Sequence, residues 1–504
     1  MQTDVLVVGA GPTGLMLATE LGLAGVTPLV IDALPVPSGQ AKGGVLQPRT
    51  AEVFDLRGLM DQLPESALSQ APIGGHFGGL PVELDARPWN TRHPYPVAIP
   101  HERVEQVLTE RLADYDIAVH FGHELTALQS AEDGVVATVH DQAADSDLHI
   151  RAQYLVACDG GHSTVRKLLG VPFPGHAGTM TAVLAHVRLT SVSDLVPTRI
   201  SHFAAMVREG GGYWSMLNPP LEGDLYRLVF GSFEATTADQ RRDSPVEVDE
   251  VRHALQAVWG SDTELGEVAW GSRFSDATRH VEHYRAGRVL FAGDAAHIHS
   301  PLGGQGLNLG IQDAFNLGWK LAAHVQRRAP AGLLDSYHTE RHPVAARVLH
   351  HTRAQRVLAD RHPPDDVAAL RDIVTDLVRL PDTNRYLAGM MSGLDVRYPM
   401  PGGDHPLLGA RMPDIDLVID GVNTRLSALM HSGRGLLVDL TGNHHRTAGH
   451  GIDVCRADTH TDIDFTTVLL RPDGHICWFT TVAQQLDPAD TGLRAALTQW
   501  FEPG

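Results

Sequence analysis

The residues with the most chemical potential in this chain stand in one run, Gly293-Asp294-Ala295-Ala296-His297-Ile298-His299-Ser300-Pro301-Leu302-Gly303-Gly304-Gln305-Gly306-Leu307-Asn308. The apolar stretch Arg288-Val289-Leu290-Phe291-Ala292 before it reads as a buried strand, and the amphipathic stretch from Leu307 to Leu321 after it reads as a helix. An acidic side chain therefore sits where a strand ends, beside a glycine-rich turn that opens a helix. A carboxylate so placed can grip the hydroxyls of a sugar or ribitol. The free N–H groups and positive dipole end of the helix can stabilise developing negative charge.

The N-terminus carries a second strand-turn-helix site. Asp4 to Val8 is a short β-type run, Pro12 to Gly25 has helical periodicity, and Leu29-Val30-Ile31 is a strand ending in Asp32. Between the first two lies Gly9-x-Gly11-x-x-Gly14, in the context a dinucleotide fingerprint requires. Gly9 permits the tight turn, Gly11 lets the backbone approach a pyrophosphate, and Gly14 lets helix and strand pack closely. The pyrophosphate would sit on the helix N-terminus above Pro12, and Asp32 would bond the adenosine ribose. A 2′-phosphate would be repelled by Asp32, so NADP is not the ligand of this turn. A third strand ends at Cys158-Asp159-Gly160-Gly161-His162-Ser163-Thr164-Val165-Arg166 and repeats the strand-to-acid pattern. The two end sites together point to a flavin clamped at both ends. Gly304-x-Gly306-x-x-x-Gly310 has the wrong spacing for a second fingerprint, so a nicotinamide reductant must bind transiently.

Composition narrows the class. A chain of 504 residues is too long for one compact core, so two or three domains are expected. Forty basic residues against 60 acidic ones give a net charge of −20, a field that repels nucleic acid and anionic membranes. No stretch approaches the ~20 apolar residues of a spanning helix. The start Met1-Gln2-Thr3-Asp4 lacks the basic opening of a signal peptide, and three cysteines without a CxxC pair suit a reducing cytoplasm. The chain has 29 histidines, but His297/His299, His350-His351 and His444-His445 have no partner ligands at metal spacing, so no metal is expected.

The elements that must position these sites follow from pattern. Arg49 to Leu59 and Glu102 to Tyr115 read as helices, and residues 176–280 as a mostly antiparallel sheet. From Asp313 to about Leu394 the chain is mainly helical. Tyr398 to Pro406 is a linker dense in Pro and Gly, and the tail beyond it reads as a small α/β unit.

The three motifs resemble the GxGxxG, DG and GD motifs of class A flavoprotein monooxygenases, most closely the FAD-dependent aromatic polyketide hydroxylases of antibiotic pathways. The likeness is nearly continuous from Arg279 to Leu321 and covers most of residues 1–400, and the tail around Arg471-Pro472-Asp473-Gly474-His475 is similar to that group's thioredoxin-like domain. It implies an α/β fold in which a Rossmann-like FAD-binding domain (1–75, 101–175 and 281–398) carries an inserted, mostly antiparallel substrate domain (76–100 and 176–280). A thioredoxin-like domain follows at 407–504; lacking a CxxC, it has no redox role. The resemblance further implies that Asp294 binds the ribitol, that Gly304, Gly306, Leu307 and Asn308 lie along the flavin pyrimidine edge, and that Arg49 reaches the FAD phosphates. Asp159 then belongs to a motif shared by FAD and NADPH binding, and Pro301 lies near the reacting face. Two positions depart: His101 stands where many relatives carry a flavin-contacting Gln, and Asp32 replaces the commoner Glu.

The implied reaction consumes NADPH or NADH and O2. Reduced FAD forms a C4a-hydroperoxide, which hydroxylates a small-molecule aromatic polyketide of angucycline, anthracycline or tetracycline type. No general base is identified. Phe77, Tyr213, Trp214 and Met216 are candidates for the substrate wall, because aromatics and Met suit a planar apolar ligand. Baeyer–Villiger oxygenation and oxidative inactivation of an antibiotic such as a rifamycin stay open on the same scaffold, as does, from another class, an FAD-dependent dehydrogenase. The expected enzyme is cytoplasmic, monomer or homodimer.

Overall fold

A computed structural model describes residues 1–37, 44–68, 72–221, 223–233, 244–441, 451–481 and 491–502. The His444-His445 doublet lies outside them. The chain begins with the expected βαβ unit: strand Gln2–Val8, helix Pro12–Leu23 and strand Leu29–Asp32. It seeds an eight-stranded sheet. In order across it lie Arg285–Ala286, Val289–Phe291, Ser146–Ala157, Gln2–Val8, Leu29–Asp32 and Val119–Phe121, with the His123–Ala131 and Gly134–Asp141 hairpin pairing on Ser146–Ala157. The five central strands from Val289–Phe291 to Val119–Phe121 run parallel.

Register decides what this sheet does. Val8 pairs with Ile31 and with Ala157, and Ala157 pairs with Phe291. Four parallel strands thus end side by side, and the residues that follow them (Gly9, Asp32, Asp159 and Asp294) emerge at one edge. Consecutive connections leave the Gln2–Val8 strand to one side and the Ser146–Ala157 strand joins from the other, so a crevice opens outside the carboxyl ends at this reversal of strand order.

The second sheet has five antiparallel strands in the order Val207–Gly210, Tyr213–Asn218, Tyr226–Ser232, Thr181–Ser191 and Glu264–Ser275. Its outer face packs Val183, Ala185, Leu217, Leu228 and Phe230 on helix Val248–Trp259, an apolar cluster of its own. Segment 76–100 differs from the expectation of a strand-rich wall. It holds a 3-10 turn at Arg87–Trp89 and a two-residue strand Val97–Ala98 that pairs with Val45–Leu46. Pro81, Pro88, Pro94, Pro96 and Pro100 remove the N–H groups a longer ladder needs.

Helices Gln305–Val325, Ser336–Ala359, Asp365–Val378 and Pro381–Ser392 supply the expected helical region. The tail forms a four-stranded mixed sheet, Ile452–Arg456, Gly435–Asp439, Thr467–Leu470 and Ile476–Thr480, with helix Thr491–Trp500 beside it. This unit is not an appendage on a free linker. Leu436, Val438, Val468 and Leu470 belong to the same buried cluster as the first sheet, and Trp319 and Leu333 of the main body pack with Trp478 and Trp500. No helix among the described residues is long and apolar enough to cross a membrane.

Candidate active site

A large cavity of about 1880 Å3 lies between the carboxyl-end edge of the parallel sheet and the inner face of the antiparallel sheet. Ordinary ligand pockets span roughly 300–1,000 Å3, so this one has room for a dinucleotide and a second molecule. Gly9, Gly11, Pro12, Asp32, Asp159, Asp294, Pro301, Gly304, Gly306 and Leu307 all line it. Residues nearly 300 positions apart in sequence therefore meet at one void.

The fingerprint glycines each meet a distinct steric demand. Gly9 sits at φ +103°, and a Cβ there would overlap the Cys158 carbonyl; a Cβ on Gly14 would overlap the Gly9 carbonyl. Gly11 is the opposite case, with nothing within 4 Å of its Cβ position, so its backbone is bare toward the cavity. Helix Pro12–Leu23 starts directly after it with no side-chain cap, which leaves its first N–H groups for a ligand. Asp32 is held in place by the Ala10 N–H at 2.8 Å and the Leu34 N–H at 2.9 Å, one on each carboxylate oxygen. Each oxygen keeps acceptor capacity for hydroxyls.

Asp294 is the exposed residue in an otherwise buried turn. The turn is rigid because Asp313, fully buried on the Gln305–Val325 helix, ties it down. Asp313 accepts from the Gly293 N–H at 3.2 Å, pairs with His297 Nε2 at 2.7 Å, and accepts from Arg341 Nε at 2.7 Å. Burial alone would raise the Asp313 pKa, but Arg341 and His297 outweigh it and hold the carboxyl below its ordinary value. From the other side Arg166 donates to the Ala295 carbonyl at 2.9 Å. Asp159 is used differently. Its Oδ2 accepts from the Val165 N–H at 3.0 Å, while its Oδ1 is buried without a partner, and burial raises its pKa.

Asn308 and Gly14 are adjacent to the cavity but do not line it. Asn308 is spent on scaffold: it accepts from the Gln47 N–H at 2.7 Å and donates to the Gly304 and Val45 carbonyls. Gln47, missed in the sequence, completes this clasp by donating to the Gly303 carbonyl at 2.7 Å.

The structure does not bring Arg49 to the cavity. Its guanidinium is buried against Glu52 at 3.1 Å and the Asp473 carbonyl at 3.1 Å, facing the C-terminal unit. Two wall candidates also fall elsewhere. Phe77 packs in an apolar cluster with Leu358 and Met391. Tyr213 points to the opposite face from Trp214 because strand neighbours alternate, and it packs edge-on against Phe230. Trp214 and Met216 do line the cavity.

Several polar groups at the cavity were given no role from the sequence. His299 lines the cavity with its Nε2 unpartnered, its Nδ1 meeting the Ser300 carbonyl at 2.7 Å. Glu102, His186 and Arg227 line the far side. The signal for Arg227 was a charge inside the apolar strand Leu225 to Phe230, which strict alternation places on the face shared with Met216.

Family comparison decides the identity of the occupant. Residues 2–352 match the FAD binding domain family, and residues 405–504 match the family described as aromatic-ring hydroxylase, C-terminal. The chain belongs to the FAD-dependent aromatic-ring hydroxylases. Among curated relatives, the 12-dehydrotetracycline 5-monooxygenase/anhydrotetracycline 6-monooxygenase of Streptomyces rimosus is 44% identical, covering 100% of this chain and 99% of that protein. A rifampicin monooxygenase of Streptomyces venezuelae is 42% identical over 96% of this chain and 97% of its own. The solved structure of an anhydrotetracycline hydroxylase from Streptomyces rimosus superposes with a TM-score of 0.87 at 42% identity, with full coverage of both chains. As a hydroxylase of this family the chain is an FAD-dependent monooxygenase, and FAD is its cofactor. The residues present fit that group: a bare backbone at Gly11, an exposed carboxylate at Asp294, and an uncapped helix start at each end of the crevice.

Proposed function

We propose that this hydroxylase inserts one oxygen atom into a polycyclic aromatic polyketide, using NADPH or NADH as reductant. The observation that carries the reading is the cavity itself: a dinucleotide cradle on one wall and, on the other, a sheet face whose lining includes Trp214, Met216 and Trp270. FAD held there would supply the redox chemistry by which electrons from the nicotinamide activate O2 for transfer of one oxygen atom.

The protein's own residues bind, orient and exclude water. The N–H groups at the start of helix Pro12–Leu23 hold the pyrophosphate, Asp32 the adenosine ribose, and Asp294 the ribitol. The start of helix Gln305–Val325, at Gly304 to Leu307, stabilises negative charge on the pyrimidine edge of the ring system, and Pro301 borders the reacting face. Asn308 and Gln47 serve by positioning that helix start. Asp159 belongs to the motif shared by FAD and NADPH binding. Trp214 and Met216 keep the planar substrate stacked and the reacting region dry. The unit boundaries given above, the substrate-domain role of the antiparallel sheet and a thioredoxin-like tail belong to the same reading. Both described tail cysteines, Cys455 and Cys477, are buried and free. The chain would act in the cytoplasm on a freely diffusing substrate.

A rifamycin substrate is the second reading, favoured by the rifampicin monooxygenase relative. The test is NADPH and O2 consumption by FAD-loaded protein against planar phenolic polyketides, cyclic ketones and rifamycins, with product masses. Stimulated consumption with one added oxygen supports a monooxygenase, and product structure separates hydroxylation from ring insertion. Flavin reduction without any stimulated oxygenation across the panel would turn the assignment toward a dehydrogenase.

A further inference from the structure

The inner face of the antiparallel sheet is apolar except at its centre. Register places Asn218 opposite Arg227, Arg227 opposite His186, and His186 opposite Trp270, so these side chains share the cavity face with Met216, Val229 and Leu184. Arg227 is the anomaly. Among the described residues it makes no ion pair, and its Nε is sealed off without a partner. Burial lowers its pKa to about 10, with no carboxylate near enough to raise it. Arg273, two strands away on Glu264–Ser275 and opposite Val183 of the helix-covered face, also borders the cavity but is paired with Glu250 at 2.6 Å. A desolvated, uncompensated guanidinium is destabilising unless something else neutralises it.

Its position says what that something faces. The Cβ position of Gly44 is 3.8 Å from Arg227 Cζ, and the Cγ2 of the next residue, Val45, is 2.8 Å from the Cβ position of Gly304. Arg227 therefore stands one residue's width from the start of helix Gln305–Val325, where the ring system of the cofactor is placed above, and away from the Gly11 end that takes its phosphates. His186 beside it is kept neutral by burial, which outweighs the opposing pull of Glu102. The positive charge at the centre of this face is thus Arg227's.

We infer that Arg227 is a substrate anchor that binds an ionised, enolised 1,3-dicarbonyl, a vinylogous acid carried on the planar substrate. This rests on the reading of the cavity as a site for an aromatic polyketide. The guanidinium presents several N–H donors in one plane, so it can donate to one anionic oxygen lying in the plane of the rings while the conjugated system spreads the charge to the other. Trp214, Trp270 and Met216 around it take the rings that bear those oxygens. Seating one ring on Arg227 fixes which edge of the substrate is presented toward the cofactor, so the anchor determines regiochemistry as well as affinity.

The test is equilibrium binding to the FAD-loaded protein, read by flavin fluorescence, of lawsone and its O-methyl ether. Lawsone is a vinylogous acid, ionised at neutral pH; the ether has the same ring skeleton and cannot ionise. The wild type should prefer lawsone by tenfold or more, the size of a charge-assisted hydrogen-bonded pair. R227Q should bring the two ligands within twofold of each other with FAD content unchanged, and R227K should keep part of the preference. The anchor is overturned by equal binding in the wild type, by a preference that survives in R227Q, or by loss of FAD from R227Q and R227K alike. Should R227Q fail to fold, the wild-type preference and R227K decide. A preference for lawsone with no oxygenation of any polyketide would sink the proposed reaction and leave the anchor standing; oxygenation without the preference would do the reverse.

Discussion

Two groups of buried charges in this molecule behave in opposite ways. Where the tail meets the main body, the central buried charges pair with one another. Arg471 forks onto Glu340 at 2.6 and 2.8 Å and also bonds Asp473; Lys320 reaches Glu340 at 2.7 Å; Arg57 forks onto Glu20 at 2.7 and 2.9 Å and donates to the Pro472 carbonyl. Around the cavity, polar atoms are left open: Asp159 Oδ1, Glu102 Oε2, His299 Nε2 and Arg227 Nε lack partners, and Asp294 is exposed. A satisfied network sets geometry, because each member is held by several others. An unsatisfied one is tolerated where a ligand completes it. The contrast places Arg49 with the paired charges, since its guanidinium is spent on Glu52 and the Asp473 carbonyl.

Substitutions should sort along the same line. The largest effect is expected from Glu340→Ala. Burial would raise the Glu340 pKa, but Arg471 and Lys320 hold it down at about 2, and removing the carboxylate leaves buried Lys320 without its ion pair and Arg471 with Asp473 alone. The loss should be about 3–5 kcal/mol in denaturant unfolding; a loss no greater than that of a surface substitution would break the comparison. Asp294→Ala should leave the apoprotein as stable as before but weaken FAD binding by roughly 10–100-fold, the worth of charged hydrogen bonds. Full flavin retention after dialysis would contradict the ribitol role.

Acid should expose the scaffold's dependence on dry interiors. Burial lowers the pKa of His475 to about 3, of His351 to about 3 and of His76 to about 4. The unfolded chain takes these protons near pH 6.5 while the folded chain refuses them, so stability falls as pH drops from about 6.5 toward 4. Each histidine contributes a slope of at most about 1.4 kcal/mol per pH unit. Thermal unfolding that is flat between pH 7 and pH 5 would count against it. The smallest effects lie on one strand. Trp214→Ala should raise KM about threefold to tenfold and uncouple NADPH oxidation, whereas Tyr213→Phe, on the far face, should change neither KM nor coupling.

Much of the cradle was legible because its chemistry is local. The fingerprint glycines, the acid after each of three strands, and the helix after each turn are short-range patterns, and sequence spacing alone ties them to backbone geometry. Tyr213 and Phe77 were misplaced because aromatic character says nothing about which face a residue takes. Arg227 was overlooked because an arginine within a strand looks the same in sequence whether or not a carboxylate waits opposite. Helix ends moved by a few residues: Pro48–Asp55 stops short of the expected Leu59, where the chain turns toward a 3-10 segment at Met60–Gln62.

By itself the sequence determined the class of fold, the flavin and the residues that end the three strands, since a strand, a glycine turn and an acid are written within a few positions of one another. Only the tertiary structure decided which charges are neutralised. Arg49 and Arg227 are equivalent as letters, but one is packed against Glu52 and the Asp473 carbonyl while the other faces a void. The Arg49–Glu52 pair is local, but the contact of Arg49 with the Asp473 carbonyl and the void before Arg227 depend on how sheets and helices stack, which local pattern does not encode.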